Sequence, residues 1–164
     1  MLQRKNDTLS DTSLLIAADI KALYTNIPLD HSRFVIIKFK ECFYNDLITY
    51  GLSLDQLNDI MEIINDNGYF CFDNAYFQQI FGLPMGDNPA AAIAIIYVYC
   101  VIEKPLLESD FTYVSSSVTR KFQNYPRFWQ LLDNIEDWDR YLDDVYSVFT
   151  GSKEEACELF AYIE

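Results

Sequence analysis

Asp143 and Asp144 stand side by side behind an aromatic residue in Arg140-Tyr141-Leu142-Asp143-Asp144, with apolar residues on both flanks. Two adjacent carboxylates repel each other and do not pack into an apolar core. The flanks have strand character: Tyr141-Leu142 before, Val145-Tyr146-Ser147-Val148-Phe149 after. The pair is therefore expected at the tip of a tight β-hairpin. Far upstream, Asp19 lies in a second apolar run, Leu14-Leu15-Ile16-Ala17-Ala18-Asp19-Ile20, with Tyr24 shortly beyond. If the two strands lie side by side, three carboxylates converge on rigid elements. That donor set holds a pair of Mg²⁺ ions for phosphoryl transfer. Taken alone, an Asp-Asp pair is more often only a turn, because aspartate tolerates unusual backbone angles and bonds its own backbone.

Two further segments bear on the choice. One is Asp19-Ile20-Lys21-Ala22-Leu23-Tyr24-Thr25-Asn26-Ile27-Pro28, the other Gln79-Ile80-Phe81-Gly82-Leu83-Pro84-Met85-Gly86-Asp87-Asn88-Pro89. With Tyr141-Leu142-Asp143-Asp144 they follow the order and spacing of palm motifs A, B and C of reverse transcriptases. The chain resembles most the Penelope-like retroelement reverse transcriptases, relatives of telomerase. The shared patterns are Asp-x-x-x-Leu-Tyr-Thr-Asn-Ile-Pro, Gln-x-x-Gly-x-x-Met-Gly and Trp-x-Arg-Tyr-x-Asp-Asp, the last running from Trp138 to Asp144. Motif A occupies about residues 14–28, motif B about 79–89 and motif C about 138–149. The resemblance extends from about residue 11 to the C-terminus, as one partial reverse transcriptase domain over residues 1–164.

The resemblance implies an α+β fold, a palm-like antiparallel sheet packed against helices, with fingers and thumb largely missing. It implies an RNA-directed DNA polymerase that transfers nucleotides from deoxynucleoside triphosphates to a primer 3′-hydroxyl. Asp19 and Asp143 would bridge two Mg²⁺ (or Mn²⁺) ions about 3.5–4 Å apart, and Asp144 would support them. One ion would lower the pKa of the primer hydroxyl while the other neutralises the triphosphate. Tyr24 would be the steric gate that excludes a 2′-hydroxyl, although a core tyrosine is the commoner fate of such a residue. Gly82, Pro84, Met85 and Gly86 would let backbone approach the nucleotide and template base. Gln79 matches the family glutamine, or is a hairpin surface residue. Tyr141 would support the primer end. Arg140 would touch the primer backbone, or pair with Asp137 or Asp139. Lys21 would meet a phosphate or the carboxylates. The implied partners are an RNA template, a DNA primer, deoxynucleoside triphosphates, and fingers and thumb segments of a longer protein, without a membrane. The implied location is intracellular, nuclear for a eukaryotic retroelement.

Two other readings stay open. A catalytically inactive palm remnant would serve as an interaction or structural module. Another two-metal palm enzyme, such as a nucleotide cyclase, would share the carboxylates but not the motif A tail or motif B.

At 164 residues, half of them hydrophobic, the chain has material for about one domain with a real core. Its net charge of −13 is opposite to the basic face usual in nucleic-acid proteins. The basic surface is then expected elsewhere, on fingers and thumb, or the copy no longer binds nucleic acid. Cys42, Cys71, Cys100 and Cys157 lie far apart and read as separate buried or half-buried thiols rather than a zinc site or disulfide framework. The single histidine, His31, excludes Ser-His or Cys-His machinery and is expected to be exposed. No signal peptide is expected at the N-terminus. The longest apolar run, residues 90–102, is shorter than the roughly 20 residues of a membrane span and reads as a buried helix.

The elements that must position these residues follow in order. A buried strand is expected over residues 14–20, and then a turn at Thr25-Asn26-Ile27-Pro28. A helix from 29 to about 44 would bury Phe34, Ile37 and Phe43. A second helix would start at Ser53, where Ser53 and Gln56 make a capping box, with Leu54, Leu57, Ile60, Met61 and Ile64 at helical spacing. Asp73-Asn74-Ala75 would turn a hairpin. Asn88 would cap a helix with Pro89 first and an end near Glu103. A short helix is expected over about 128–135. After the Asp-Asp hairpin, Ser152 and Glu155 would cap a helix on which Ala156, Leu159, Phe160 and Ile163 make an apolar stripe. That helix reads as cut off in mid-pattern.

Overall fold

The structure, a computed structural model, describes residues 13–42, 51, 53–86 and 88–163. Its elements are, in order, β1 (Ser13–Asp19), α1 (Leu23–Asn26), α2 (Leu29–Cys42), α3 (Leu54–Asp66), β2 (Tyr69–Phe72), β3 (Ala75–Gln78), α4 (Ala90–Glu108), α5 (Ser116–Gln123), α6 (Pro126–Leu132), β4 (Ile135–Tyr141), β5 (Asp144–Thr150) and α7 (Lys153–Ile163). The fold is α+β with small antiparallel sheets. Two compact units divide it. One takes in β1 and everything from Val114 onward, and the other spans Ala22–Tyr113.

In the first unit three antiparallel strands lie in the order β1-β5-β4. The alternation along β5 decides its orientation: Val145, Ser147 and Phe149 are buried while Asp144 and Tyr146 are exposed. Strand β4 reaches the same inner face through a bulge. Ile135 pairs with Phe149 and Asp137 with Val148, so Glu136 is the extra residue. One added residue inverts the side-chain alternation, so Ile135 and Trp138, of opposite parity, are both buried. The Glu136 carboxylate accepts from Thr150 Oγ1 (2.5 Å) and Ser13 Oγ (3.4 Å), tying all three strands. Helices α6 and α7 supply Phe128, Leu131, Ala156 and Leu159 to the buried set. The Ser152–Glu155 capping box is present, Glu155 N–H donating to Ser152 Oγ (3.2 Å) and Ser152 N–H to Glu155 Oε2 (3.1 Å). Arg127 pairs with Glu155 and Glu158 across the two helices.

Strand β1 departs from the expected buried strand. Its inner residues Leu14, Ile16 and Ala18 are half-buried, while Leu15 is 79% exposed. β1 is an edge strand of a sheet with one open face, so a run apolar on both sides leaves one row in solvent. The α6 helix ends at Leu132, and Ile135 already belongs to β4.

The second unit is built around α2 and α4. The residues buried on α2 are Ser32, Val35, Ile36 and Lys40, not Phe34 or Ile37. Phe34 is exposed, Ile37 is half-buried, and Phe43 lies outside the described residues. Lys40 explains part of the mismatch: its Nζ donates to Asn58 Oδ1 of α3 (2.9 Å), which satisfies a buried ammonium and lets the helix turn that face inward. Burial, helped by nearby Arg33, lowers its pKa. His31 is half-buried rather than exposed. Its Nδ1 lies 2.8 Å from Tyr97 Oη and its Nε2 3.2 Å from the Tyr113 carbonyl. A carbonyl only accepts, so Nε2 carries the proton and Nδ1 takes the tyrosine hydrogen. Burial pushes the Cys100 thiol up to about 12 in the same core, where Val35, Cys100 and Tyr113 pack together. The other three cysteines, Cys42, Cys71 and Cys157, are exposed rather than buried or half-buried, because they lie at a helix end, on an open hairpin and on an outer helix face.

Helix α3 begins with the expected capping box, Gln56 N–H to Ser53 Oγ (3.2 Å) and Ser53 N–H to Gln56 Oε1 (2.9 Å). Of its apolar row only Met61 is buried, and Ile60 is exposed. Pro89, not Asn88, is the cap of α4, its carbonyl accepting from Ile93 N–H (2.9 Å). The helix continues through a π-turn at Tyr99–Glu103 to Glu108, five residues beyond the expected end at Glu103. At 19 residues it is the one helix among those described that is long and apolar enough to cross a membrane; 44% of it is buried within the protein. Lys104 near its end donates to Asp110 (2.8 Å) and Glu108 (3.1 Å). Asp110 also accepts from Thr112 N–H (3.0 Å) and Thr112 Oγ1 (2.6 Å).

Phe149→Ala is expected to cost about 3–5 kcal/mol in urea denaturation, because Phe149 is fully buried. Leu15→Ala should stay within about 0.5 kcal/mol. The Lys104 ammonium, then Thr112, holds the Asp110 carboxyl down at about 2 against an ordinary 3.8. A depressed pKa contributes stability above pH 3.8 that disappears as pH falls toward 2. Asp110→Asn should therefore be less stable than wild type near neutrality, and the gap should close between those two values. A gap that stays constant with pH would show that Asp110 acts through packing alone.

Candidate active site

Antiparallel pairing of β1 with β5 places Asp19 directly opposite Asp144. Opposed Cα atoms in such a ladder are about 5 Å apart, with both side chains on one face. Both aspartates are exposed. Asp143 is in the two-residue turn between β4 and β5, its carbonyl accepting the Ile20 N–H at 2.8 Å. The partner of Asp19 in the register is thus Asp144, and Asp143 bonds the same strand end through its backbone.

The turn is tight. Leu142 adopts φ +55, a conformation in which a branched side chain is strained. Arg140 Nη1 donates to the Leu142 carbonyl (2.8 Å), so this arginine braces the turn. Tyr141 also pairs with Asp144 in the ladder and is 74% exposed.

The bulge at Glu136 sets which residues join this face. Asp139 pairs with Tyr146, and Asp137 with Val148, whereas Tyr146 and Val148 also pair with Ala17 and Leu15. The open face therefore has three rows: Asp19, Asp144, Tyr141; Ala17, Tyr146, Asp139; Leu15, Val148, Asp137. Sequence reasoning assigned Asp137 and Asp139 no place on it; the alternation 137, 139, 141 was the available signal. Their carboxylates accept from the next residue's backbone, Trp138 N–H (3.1 Å) and Arg140 N–H (2.9 Å). Among the described residues no three histidine, cysteine, aspartate or glutamate side chains are grouped to hold a metal ion. Asp19 and Asp144 form a pair of hard oxygen donors. Such a pair fits Mg²⁺, which typically takes one or two protein carboxylates and fills its octahedron with water and phosphate. No ion pair among the described residues engages Asp19, Asp143 or Asp144.

In the second unit, Tyr24 lies in the single turn of α1, half-buried. Its carbonyl accepts the Leu83 N–H at 2.7 Å. Leu83 is buried, and Gly82 before it has φ +79. A Cβ on Gly82 would sit 3.0 Å from Thr25 Cα and 3.1 Å from the Tyr24 carbonyl oxygen, both backbone atoms. Glycine is thus required twice at position 82, for conformation and for space. Gln79 is half-buried and folds the same loop, its Nε2 donating to the carbonyls of Phe81 and Gly82 (both 3.0 Å). Pro84 is half-buried, and Met85 and Gly86 are exposed. Asp87 lies outside the described residues. Lys21, which belongs to the first unit, follows β1 at an exposed turn position.

Gly82→Ala is expected to destabilise this unit by about 1–3 kcal/mol or more, because strain and a backbone clash combine. Gly86→Ala, at φ +98 but with open space around its Cβ, should carry the strain alone. Equal losses in thermal denaturation would show that the loop is not docked on the Tyr24–Thr25 backbone. No protein-family model, no curated protein and no solved structure matches this chain.

Proposed function

We propose that the chain is the palm-like catalytic part of an RNA-directed DNA polymerase. The observation that carries the reading is the register of β1 on β5, with Asp19 opposite Asp144 on an exposed face. The ordered motifs around Asp19, Gly82 and Asp143 support it from the sequence.

Asp19 and Asp144 would hold Mg²⁺ or Mn²⁺, and Asp143 from the turn would join as a further oxygen donor only once its side chain swings toward that pair. A divalent cation so held supplies charge neutralisation at the transferring phosphate and a more acidic primer hydroxyl. The residues of this chain do the positioning. The braced turn at Leu142 presents Asp143 and Asp144 at a fixed height. Tyr141, in the same row, offers a ring to the primer end. Tyr24 excludes the 2′-hydroxyl of a ribonucleotide. Gln79 and Gly82 hold the loop whose backbone meets nucleotide and template, with Pro84, Met85 and Gly86 along it.

A non-catalytic palm remnant is the second reading, favoured by the net charge of −13. Metal binding without primer extension, also after fingers and thumb segments are supplied, would assign the chain to it.

Mg²⁺ or Mn²⁺ is expected to raise the melting temperature by roughly 2–4 °C for each kcal/mol of binding. Asp19→Asn and Asp144→Asn should each remove most of the rise, and Glu154→Gln, an exposed carboxylate on α7, should leave it intact. The same rise in all three variants would place the ions elsewhere on the acidic surface and sink the two-metal assignment.

A further inference from the structure

The hairpin β2–β3 is a two-stranded sheet in which all eight strand residues are exposed. Its turn, Asp73-Asn74, has φ of +50 and +59, the left-handed pair that matches strand twist in a two-residue hairpin. One face carries Phe70, Phe72 and Phe77, with Phe70 and Phe77 stacked at 5.6 Å between centroids. The other carries Tyr69 and Tyr76, the latter 81% exposed. Ile80 and Phe81 extend the patch, at 87% and 58% exposed. A lone two-stranded hairpin is marginal in water, and an exposed aromatic patch on a hairpin that no other described strand pairs is a site of association.

Charge decides what kind of partner fits. No lysine or arginine occurs between Lys40 and Lys104. Across the same stretch Asp55, Asp59, Glu62, Asp66, Asp73 and Asp87 are acidic. The four cations of this unit are each engaged: Arg33 with Glu62, Lys38 with Glu41, Lys40 with Asn58, Lys104 with Asp110 and Glu108. Stacking of single-stranded nucleic acid on aromatics needs a positive groove for its phosphates, and anionic lipid needs the same. A second copy would bring another −13 to the contact.

We propose that β2–β3 docks an extended, basic polypeptide segment, in which apolar residues alternate with lysine or arginine. The segment adds as a third strand, its backbone pairing along β2, whose outer edge no other described strand pairs, and its apolar residues covering one aromatic face. Its cations answer the acidic character of this stretch, with Asp73 in the turn of the hairpin itself, which sets partner choice and association rate.

The test uses the full chain and a fluorescent octapeptide, Lys-Val-Lys-Phe-Lys-Val-Lys-Phe, in anisotropy titrations at low salt. Binding is expected. It should weaken at least tenfold when glutamate replaces lysine, and vanish when proline replaces alternate residues and removes the strand N–H groups. Phe72→Thr with Tyr76→Thr, which keeps strand propensity, should also weaken it at least tenfold. In wild type the peptide should slow amide hydrogen exchange in β2 or β3, a readout that needs no variant to fold. Binding without such protection, or binding untouched by the threonine changes in a folded variant, would overturn the proposal. So would no binding of the peptide. Tighter binding of oligo(dT) or of phosphatidylserine vesicles through the hairpin would overturn it in favour of those partners. A monomer–dimer equilibrium abolished by the threonine changes would overturn it in favour of a second copy.

Discussion

Two like charges held face to face are the constraint around which the three-stranded sheet is organised. Opposed carboxylates in a ladder are destabilising by themselves. Asp19 and Asp144 stay opposed because everything behind them favours the register. A slip of one residue would turn Val145 and Phe149 outward and Asp144 inward. The Ile20 N–H to Asp143 carbonyl bond closes the ladder at the acidic end. The Glu136 carboxylate, bonded to Ser13 and Thr150, closes it at the other. Buried apolar residues thus carry the energy, and the exposed acidic end is where the strands spend it.

The second unit has a comparable constraint, made of backbone alone. Gly82 approaches Thr25 so closely that a Cβ there would press on backbone atoms, and Leu83 bonds the Tyr24 carbonyl. Segments nearly sixty residues apart in the chain are thereby joined without a specific side-chain pair. Gln79 keeps the loop in shape by capping two of its carbonyls.

Local chemistry was readable from the chain, and tertiary choice was not. Both capping boxes, at Ser53 and Ser152, stand where the pattern put them, because four consecutive residues contain all their atoms. The two hairpins were readable for the same reason. The inward face of α2 was not, since Phe34, Val35, Ile36 and Ile37 leave an apolar residue on several faces and only packing selects one. A buried Lys40 looks wrong until Asn58 is brought to it. His31 looks like surface until Tyr97 and the Tyr113 carbonyl arrive from far along the chain. Leu15 and Ile60 read as core in any periodicity, yet one lies on an open sheet face and the other on the outer side of its helix. At the acidic site, the pairing of Asp19 with the hairpin was legible in outline. Its register was not, since neither the position of the turn nor a bulge has a composition of its own.

That bulge is an insertion that the ladder itself does not need. Ile135 and Asp137 pair with consecutive residues of β5, Phe149 and Val148, so they already alternate as neighbours would, one inward and one outward. Removing Glu136 would join them into an unbroken strand and leave every other residue of β4 on its face. What would go is the carboxylate that ties Ser13 to Thr150 and the local bend and extra twist that a bulge gives a strand. A gap further along β4 has no such slack, because it would carry the residues on one side of it to the wrong face. Divergent copies of this sheet should therefore tolerate loss of position 136 and almost no gap between Trp138 and Tyr141.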